Sequence, residues 1–89
     1  MGLDVKNILI LNNSIKVDNV YINLRNITTT KEETNFNLGF KYLIYKNNNF
    51  VESVYIKREN ININKNIWEF CYDLLKDDLK TKNLDFTDN

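Results

Sequence analysis

The side chains that could carry out chemistry are few in this chain. Its 89 residues include no histidine and a single cysteine, Cys71. Without histidine there is no Ser-His-Asp triad, no Cys-His dyad and no histidine-ligated metal, and one cysteine cannot form an internal disulfide or a four-cysteine site. The glycines are only Gly2 and Gly39, so no glycine-rich loop can hold a phosphate. The sequence therefore predicts a protein that is not an enzyme and has no catalytic residues, cofactor or metal.

The remaining candidate groups have simpler interpretations. The carboxylate pairs Glu32-Glu33 and Asp77-Asp78 could bind a hard cation, but no calcium-binding loop surrounds either pair, and we interpret them as solvated surface. Cys71 lies within an apolar stripe with no basic residue patterned beside it. This environment predicts a buried small hydrophobe and not a reactive thiol.

Tyrosine and lysine recur in the middle of the chain, as in the stacking platforms of proteins that bind single-stranded nucleic acid. The residues concerned are Tyr42, Tyr45, Tyr55, Lys41, Lys46 and Lys57. However, Tyr42 shares its face with Phe40 and Ile44, which predicts a place in the core. The 12 basic residues balance the 12 acidic ones, so no strong field attracts phosphate groups. We therefore expect neither nucleic acid nor a membrane as a partner.

The elements that must position these residues are mainly strands. Apolar and polar residues alternate from Phe36 to Ile44, which predicts a β-strand with one buried face, within a longer strand at about residues 34–46. A half-buried strand is predicted from Val20 to about Thr28. Asn47-Asn48-Asn49 predicts a hairpin into a strand at residues 50–57, with asparagine taking the positive-φ position. Nearer the N-terminus, Ile8–Leu11 and Ser14–Val17 predict two short strands joined by a turn at Asn12-Asn13.

The period changes to that of a helix after residue 66. The apolar stripe consists of Ile67, Phe70, Cys71, Leu74, Leu75 and Leu79. Asn66 is the predicted N-cap, and Glu69 three residues later resembles a capping box. The helix, predicted over residues 66–80, must lie on the sheet because an isolated helix of about 14 residues is marginal in water. The polar tail, residues 81–89, contains Leu84 and Phe86, which could add an edge strand or contact a partner.

These patterns predict one α+β domain over residues 1–89. An antiparallel sheet of four or five strands, mainly in residues 1–63, carries one C-terminal amphipathic helix on one face. The mean hydropathy is −0.46, and no apolar run approaches the ~18 residues of a membrane span. Met1-Gly2-Leu3-Asp4 lacks the pattern of a signal peptide, so we expect synthesis in a cytoplasm.

Four residues are candidates for a protein interface because they lie beside the predicted apolar faces. Trp68 and Tyr72 flank the helical stripe, and Leu43 and Tyr45 lie on the strand face that a two-layer fold leaves wet. Either these side chains complete the core, or they form contacts of the kind for which tryptophan and tyrosine are suited. Exposed apolar flanks in so small a chain indicate assembly with other subunits.

The composition is typical of a genome with low G+C content. The chain has 17 Asn, 10 Ile and 10 Lys but no Ala, Pro or Gln. Asn, Ile and Lys have AT-rich codons, whereas Ala and Pro need GC-rich codons. The asparagines are scattered among patterned apolar residues, so genome bias explains them better than a prion-like tract does.

The order of the elements resembles small proteins encoded in the tail modules of phages of low-G+C Gram-positive bacteria. The similar features are an early strand (Val20–Leu24), a charged loop, a long alternating strand (Phe36–Tyr45), a second aromatic strand and an Asn-led helix containing Tyr72-Asp73-Leu74-Leu75-Lys76. The resemblance implies a non-enzymatic virion protein, in the tail or baseplate region more than in capsid decoration, synthesised in the host bacterial cytoplasm. It implies other virion proteins or copies of itself as partners and no small-molecule substrate. The alternative is a small phage-encoded inhibitor of a host defence system, of the anti-CRISPR type, which would share the size and the lack of motifs.

Overall fold

The computed structural model describes residues 2–7, 9–11 and 14–88, which form an α+β fold. Its elements are β1 (Leu3–Val5), β2 (Leu9–Ile10), β3 (Lys16–Val17), β4 (Val20–Glu32), β5 (Asn35–Lys46), β6 (Asn49–Ile61), α1 (Ile67–Thr81) and β7 (Phe86–Asp88). Five strands form one antiparallel sheet in the order β6-β5-β4-β1-β7, and β2 and β3 form a separate pair. The predicted fold class is confirmed. No described helix is long and apolar enough to cross a membrane.

The long hairpin of β5 and β6 is confirmed, and asparagine makes its turn. Asn47 and Asn48 both have positive φ, 52° and 66°, and Lys46 pairs with Asn49 across the turn. Two central residues of positive φ define a type I′ turn, whose twist matches that of the flanking strands. The predicted hairpin near the N-terminus is also present in β2 and β3, although Ile8 and the turn at Asn12-Asn13 lie outside the described residues.

Asparagine has a wider conformational role in this fold. Eight described non-glycine residues have positive φ, and six of them are Asn19, Asn26, Asn47, Asn48, Asn60 and Asn83. Asparagine tolerates the left-handed region better than most residues do. At Asn26 it accompanies a register shift between Arg25 and Thr28, where β4 has one more residue than β5. Such a bulge bends and twists the strand. The bias attributed to the genome therefore supplies the backbone conformations for which other chains use glycine.

The core lies between α1 and one face of the sheet. Phe40, Tyr42 and Ile44 on β5 are buried, as the alternating pattern predicts. On the helix, the buried residues are Cys71, Tyr72, Leu75 and Leu79. Ile67, Phe70 and Leu74 are only half-buried and pack against the edge of the core. The buried stripe is thus rotated toward Tyr72 relative to the predicted one.

The ends of α1 are defined by hydrogen bonds. Oδ1 of Asn66 accepts from the backbone N–H groups of Trp68 (2.9 Å) and Glu69 (3.4 Å), which confirms the predicted N-cap. At the other end, Asn83 N donates to Lys80 O and Leu84 N to Leu79 O, each at 3.0 Å. With Asn83 at φ 60°, this is a Schellman motif. It reverses the chain and buries Leu84 against the core.

The C-terminal tail continues the sheet. Phe86 pairs with Val5 and Asp88 with Leu3, so β7 is an edge strand beside β1. Lys76 on the helix forms an ion pair with Asp88 at 3.3 Å. Phe86 therefore has the edge-strand role predicted for this segment, whereas Leu84 precedes β7 and packs in the core.

Candidate interaction surfaces

An apolar groove of about 380 Å³ lies between the start of α1, the second half of β4 and the first half of β5. It is lined by Asn26, Ile27, Thr29, Phe36, Ile63, Ile67 and Trp68. The bulge at Asn26 bends β4 here, and the segment between β6 and α1 contributes Ile63. Apolar side chains with few charges form the kind of concave surface that binds an apolar partner group.

Trp68 is the most exposed aromatic side chain of this groove, and 49 % of it is accessible. It lies in the first turn of α1, where its backbone N–H is bound to the Asn66 cap, so the start of the helix is held in place. A half-exposed tryptophan at the rim of an apolar groove can be buried by a partner without unfolding the domain. Of the two helical interface candidates, Trp68 is the one whose side chain is accessible to a partner.

Tyr72, the other helical candidate, belongs to the core. Only 5 % of it is accessible. Burial raises the pKa of the Tyr72 phenol, and a hydrogen bond with the backbone of Leu24 on β4 partly offsets that rise. This bond ties the middle of the helix to the sheet. The structure therefore supports the core alternative for Tyr72.

The groove lies beside an unpaired edge of the sheet. β4 pairs with β5 along most of its length, but it pairs with β1 only through Val20, Tyr21 and Ile22. From Asn23 to Glu32, β4 has no strand partner on this side in the described part of the chain. The backbone of Leu24 is already bonded, to Arg25 Nη1 through its carbonyl and to Tyr72. Beyond Leu24, backbone N–H and C=O groups on such an edge are available to a strand from another chain.

Leu43 and Tyr45 lie on the face of the sheet that α1 leaves open, as predicted, and both are half-buried. Tyr45 is paired with Tyr21 on one side and with Phe50 on the other. The rings of Tyr45 and Phe50 meet edge to face with centroids 6.1 Å apart. The open face therefore carries a row of aromatic residues. Leu43 lies in the next row, toward the end of β5 that contains Asn35.

Several residues of these surfaces are absent from the predicted interface. Tyr21 and Phe50 join the aromatic row, and Ile27, Phe36 and Ile63 line the groove. The sequence offered one signal for Tyr21, an aromatic residue on the polar side of an alternating strand. The groove residues gave none, because the bulge at Asn26 and the path of residues 62–66 bring them together.

A polar cluster lies at the C-terminal end of α1. The buried Tyr42 donates its hydroxyl to Asp78 Oδ2 at 3.1 Å, Lys82 Nζ donates to the Tyr42 oxygen at 3.2 Å, and Lys82 and Asp78 are 3.3 Å apart. Burial raises the pKa of Tyr42. Burial lowers the pKa of Lys82, but the hydrogen bond to Tyr42 and the neighbouring Asp78 outweigh this effect and raise it. The cluster satisfies a buried phenol and attaches α1 to β5.

Cys71 is buried in the centre of the helix–sheet contact, as predicted. Burial raises the pKa of its thiol to about 11, so the thiolate is scarce at neutral pH. Within the described ranges, no three His, Cys, Asp or Glu side chains are close enough to hold a metal ion.

Comparison of the chain with protein-family models, curated proteins and solved structures finds no match. A function must therefore be inferred from the residues and surfaces of this chain.

Proposed function

We propose that this protein is a non-enzymatic structural or interaction protein of a phage or phage-derived particle, in its tail or baseplate region. It acts through contacts with other particle proteins or with copies of itself. The observation that carries the protein-contact part of this proposal is the apolar groove with Trp68 at its rim, directly beside the unpaired edge of β4.

The groove and the edge together suit an extended segment of a partner. A strand added to β4 would satisfy the edge backbone groups beyond Arg25, and its apolar side chains would enter the groove. Backbone hydrogen bonds supply affinity in this mode, and side-chain pockets supply specificity. Trp68 would be the anchor, since tryptophan is enriched among the residues whose truncation costs about 2 kcal/mol or more at interfaces.

The phage part of the proposal is supported by the AT-rich composition and by the order of elements that resembles tail-module proteins. The alternative, an inhibitor of a host defence system of the anti-CRISPR type, would use the same groove and edge against a host enzyme. The two functions differ in where the protein accumulates, which is the virion for a particle component and the infected-cell cytoplasm for an inhibitor.

Mass spectrometry of purified particles, together with affinity capture of the tagged protein from infected-cell lysate, tests the proposal. We expect the chain in particles at a fixed stoichiometry, and we expect Trp68→Ala to abolish its incorporation. Ile15→Ala is the matched control, because Ile15 is also exposed (55 %) but lies away from the groove. Absence from particles, with a stoichiometric complex in lysate, would favour the inhibitor. Normal incorporation of the Trp68→Ala variant would show that the groove does not bind the particle partner.

A further inference from the structure

Strand β6 is an edge of the sheet along its whole length. It comes last in the strand order, and in the described part of the chain its 13 residues pair only with β5. Register shifts against β5 occur near both ends of β6, which has one extra residue at each of them. Between the shifts, the segment from Glu52 to Arg58 pairs regularly with β5. A regular edge segment of this length is a template for another strand.

One hydrogen bond shows which backbone groups of β6 face outward from the sheet. Nη1 of Arg58 donates to the backbone oxygen of Lys57 at 2.9 Å, so this carbonyl points away from β5. In an antiparallel ladder, the N–H and C=O groups of one residue point to the same side, and those of the next residue point to the other side. The backbone groups of Ser53, Tyr55 and Lys57 therefore face outward. The Tyr55 ring does not block them, because it leans inward over Gly39 on β5.

The side chains of this segment are complementary to those of a second copy that runs antiparallel to it. When Tyr55 lies opposite Tyr55 of the copy, Glu52 lies opposite Arg58 of the copy, and Arg58 lies opposite Glu52 of the copy. Val54 and Ile56 pair in the same reciprocal way on the face of the sheet that carries α1. Two ion pairs and two apolar pairs thus form across the junction. Directly opposite pairs of both kinds stabilise a sheet.

Other registers lose this match. The outward backbone groups of the two copies meet only in registers that differ by two residues. A shift of two residues places Arg58 opposite Val54 or Phe50 of the copy and removes both ion pairs. A slip of one residue would bring the α1 face of one copy beside the open face of the other. The reciprocal Glu52–Arg58 match is the property that a two-fold symmetric interface requires.

We propose that this protein forms a two-fold symmetric dimer in which the segments Glu52–Arg58 of two copies pair antiparallel and join the two sheets into one. The Arg58 guanidinium then leaves its own strand for Glu52 of the copy. The Lys57 carbonyl accepts instead from the Ser53 N–H of the copy. This contact goes beyond the proposed function, since it uses neither the groove nor the edge of β4.

The second copy fits this edge better than other occupants do. Charged side chains on an edge strand oppose the addition of most strands. A strand from another protein would need an acidic residue exactly opposite Arg58, which Glu52 of the copy supplies. Head-to-tail addition of copies is unfavourable because the opposite edge strand, β7, has only three residues and would leave most of β6 unpaired. The expected assembly is therefore a closed dimer.

Sedimentation of the isolated protein over a range of concentrations measures the association. In Trp68→Ala, which lacks the anchor of the groove, we expect the mass to rise from 10.6 kDa to twice that value and no further. Amide hydrogen exchange locates the contact, since the N–H groups of Ser53, Tyr55 and Lys57 should become protected as the concentration rises. A monomer at the highest concentrations would overturn the proposal. So would a dimer in which the exchange of these three amides is unchanged.

An exchange of charges tests the register. Arg58→Glu should weaken the dimer by about 10- to 100-fold, because two pairs of opposite charge become two pairs of like charge. The double variant Glu52→Arg/Arg58→Glu should restore the dimer with the signs reversed. Arg25→Glu is the matched control, because Arg25 binds the Leu24 carbonyl on β4 as Arg58 binds that of Lys57. A dimer unchanged by Arg58→Glu, or a folded double variant that stays monomeric, would overturn the proposal.

Ser53→Pro tests the backbone pairing without changing a charge. The Ser53 N–H faces outward and is not used by β5, so proline should leave the circular dichroism of the fold intact while the dimer is lost. A dimer that survives in a folded Ser53→Pro variant would overturn the proposal, and if this variant unfolds, the charge exchange still decides.

Trp68→Ala distinguishes this inference from the proposed function. Trp68 lies in the groove and not on β6, so this variant should form the dimer normally while losing its particle partner. Loss of the dimer in a folded Trp68→Ala variant would assign the contact between copies to the groove and overturn its assignment to β6. Retention of the particle partner would count against the proposed function alone.

Discussion

Leu74 and Leu75 are adjacent on α1 but differ in their surroundings. Leu75 is fully buried, whereas Leu74 is half-buried at the edge of the core. We expect Leu75→Ala to lower the free energy of unfolding by about 2–5 kcal/mol, and Leu74→Ala to cost clearly less. Urea unfolding followed by circular dichroism measures both. Equal losses would mean that α1 is rotated relative to the structure.

Cys71 gives the stability a dependence on alkaline pH. The unfolded thiol loses its proton near pH 9, whereas the buried thiol keeps it to about pH 11, so the folded state binds more protons in between. The contribution of Cys71 to the free energy of unfolding should be constant well below pH 9 and fall between pH 9 and 11. Cys71→Ala should reduce the fall between pH 9 and 10, because Tyr42, Tyr72 and Lys82 titrate in both proteins and their contribution cancels in the comparison. Urea midpoints at pH 7, 9 and 10 test this, and identical pH profiles for both proteins would contradict it.

At the scale of elements, the periodicity of the sequence predicted the strands and the helix that are long enough to contain several repeats of their pattern. The alternation of residues 36–44 and the helical stripe after Asn66 each contain enough periods to define a face. β1 and β7 contain three residues each and depend on pairing across most of the chain, so their sequences carry no such signal. A helical stripe also indicates which residues are apolar, but not which of them lies at its centre. Tyr72 is buried there in place of Leu74, and its hydroxyl has a backbone partner at Leu24.

The β5–β6 turn allows a direct test of asparagine at positive φ. Asn48 has φ 66°, and a β-branched residue there would adopt the left-handed region at a cost of about 1–2 kcal/mol. We expect Asn48→Val to destabilise the fold by that amount and Asn48→Gly to leave it unchanged or more stable. Asn49→Val is the control, because Asn49 is already in β6 without positive φ. Equal effects of the two valine substitutions in urea unfolding would show that the positive φ at position 48 is not the cause of the destabilisation.

At the scale of the whole molecule, the candidate surfaces arise from unequal strand lengths. β4, β5 and β6 have 12 or 13 residues, whereas α1 and the three-residue strands β1 and β7 cover only part of them. The molecule is accordingly elongated, 42 × 25 × 23 Å. The uncovered parts are the groove, the edge of β4 and the open face. Trp68, Leu43 and Tyr45 can be singled out from the sequence as interface candidates, but the groove depends on a bulge and a loop path that only the folded chain defines.

Self-association at the edge of β4 is testable on the isolated protein. If copies of the chain add strand to strand at the edge of β4, sedimentation of the isolated protein should show a mass that rises with concentration. Trp68→Ala should lower that association while changing stability little, because about half of the Trp68 side chain is already exposed. Tyr45→Ala should instead destabilise the fold, because Tyr45 is half-buried and packs edge to face on Phe50. A monomer at the highest concentrations would exclude copies of itself as the partner, and capture of a particle protein by the wild type but not by Trp68→Ala would then identify the occupant of the groove.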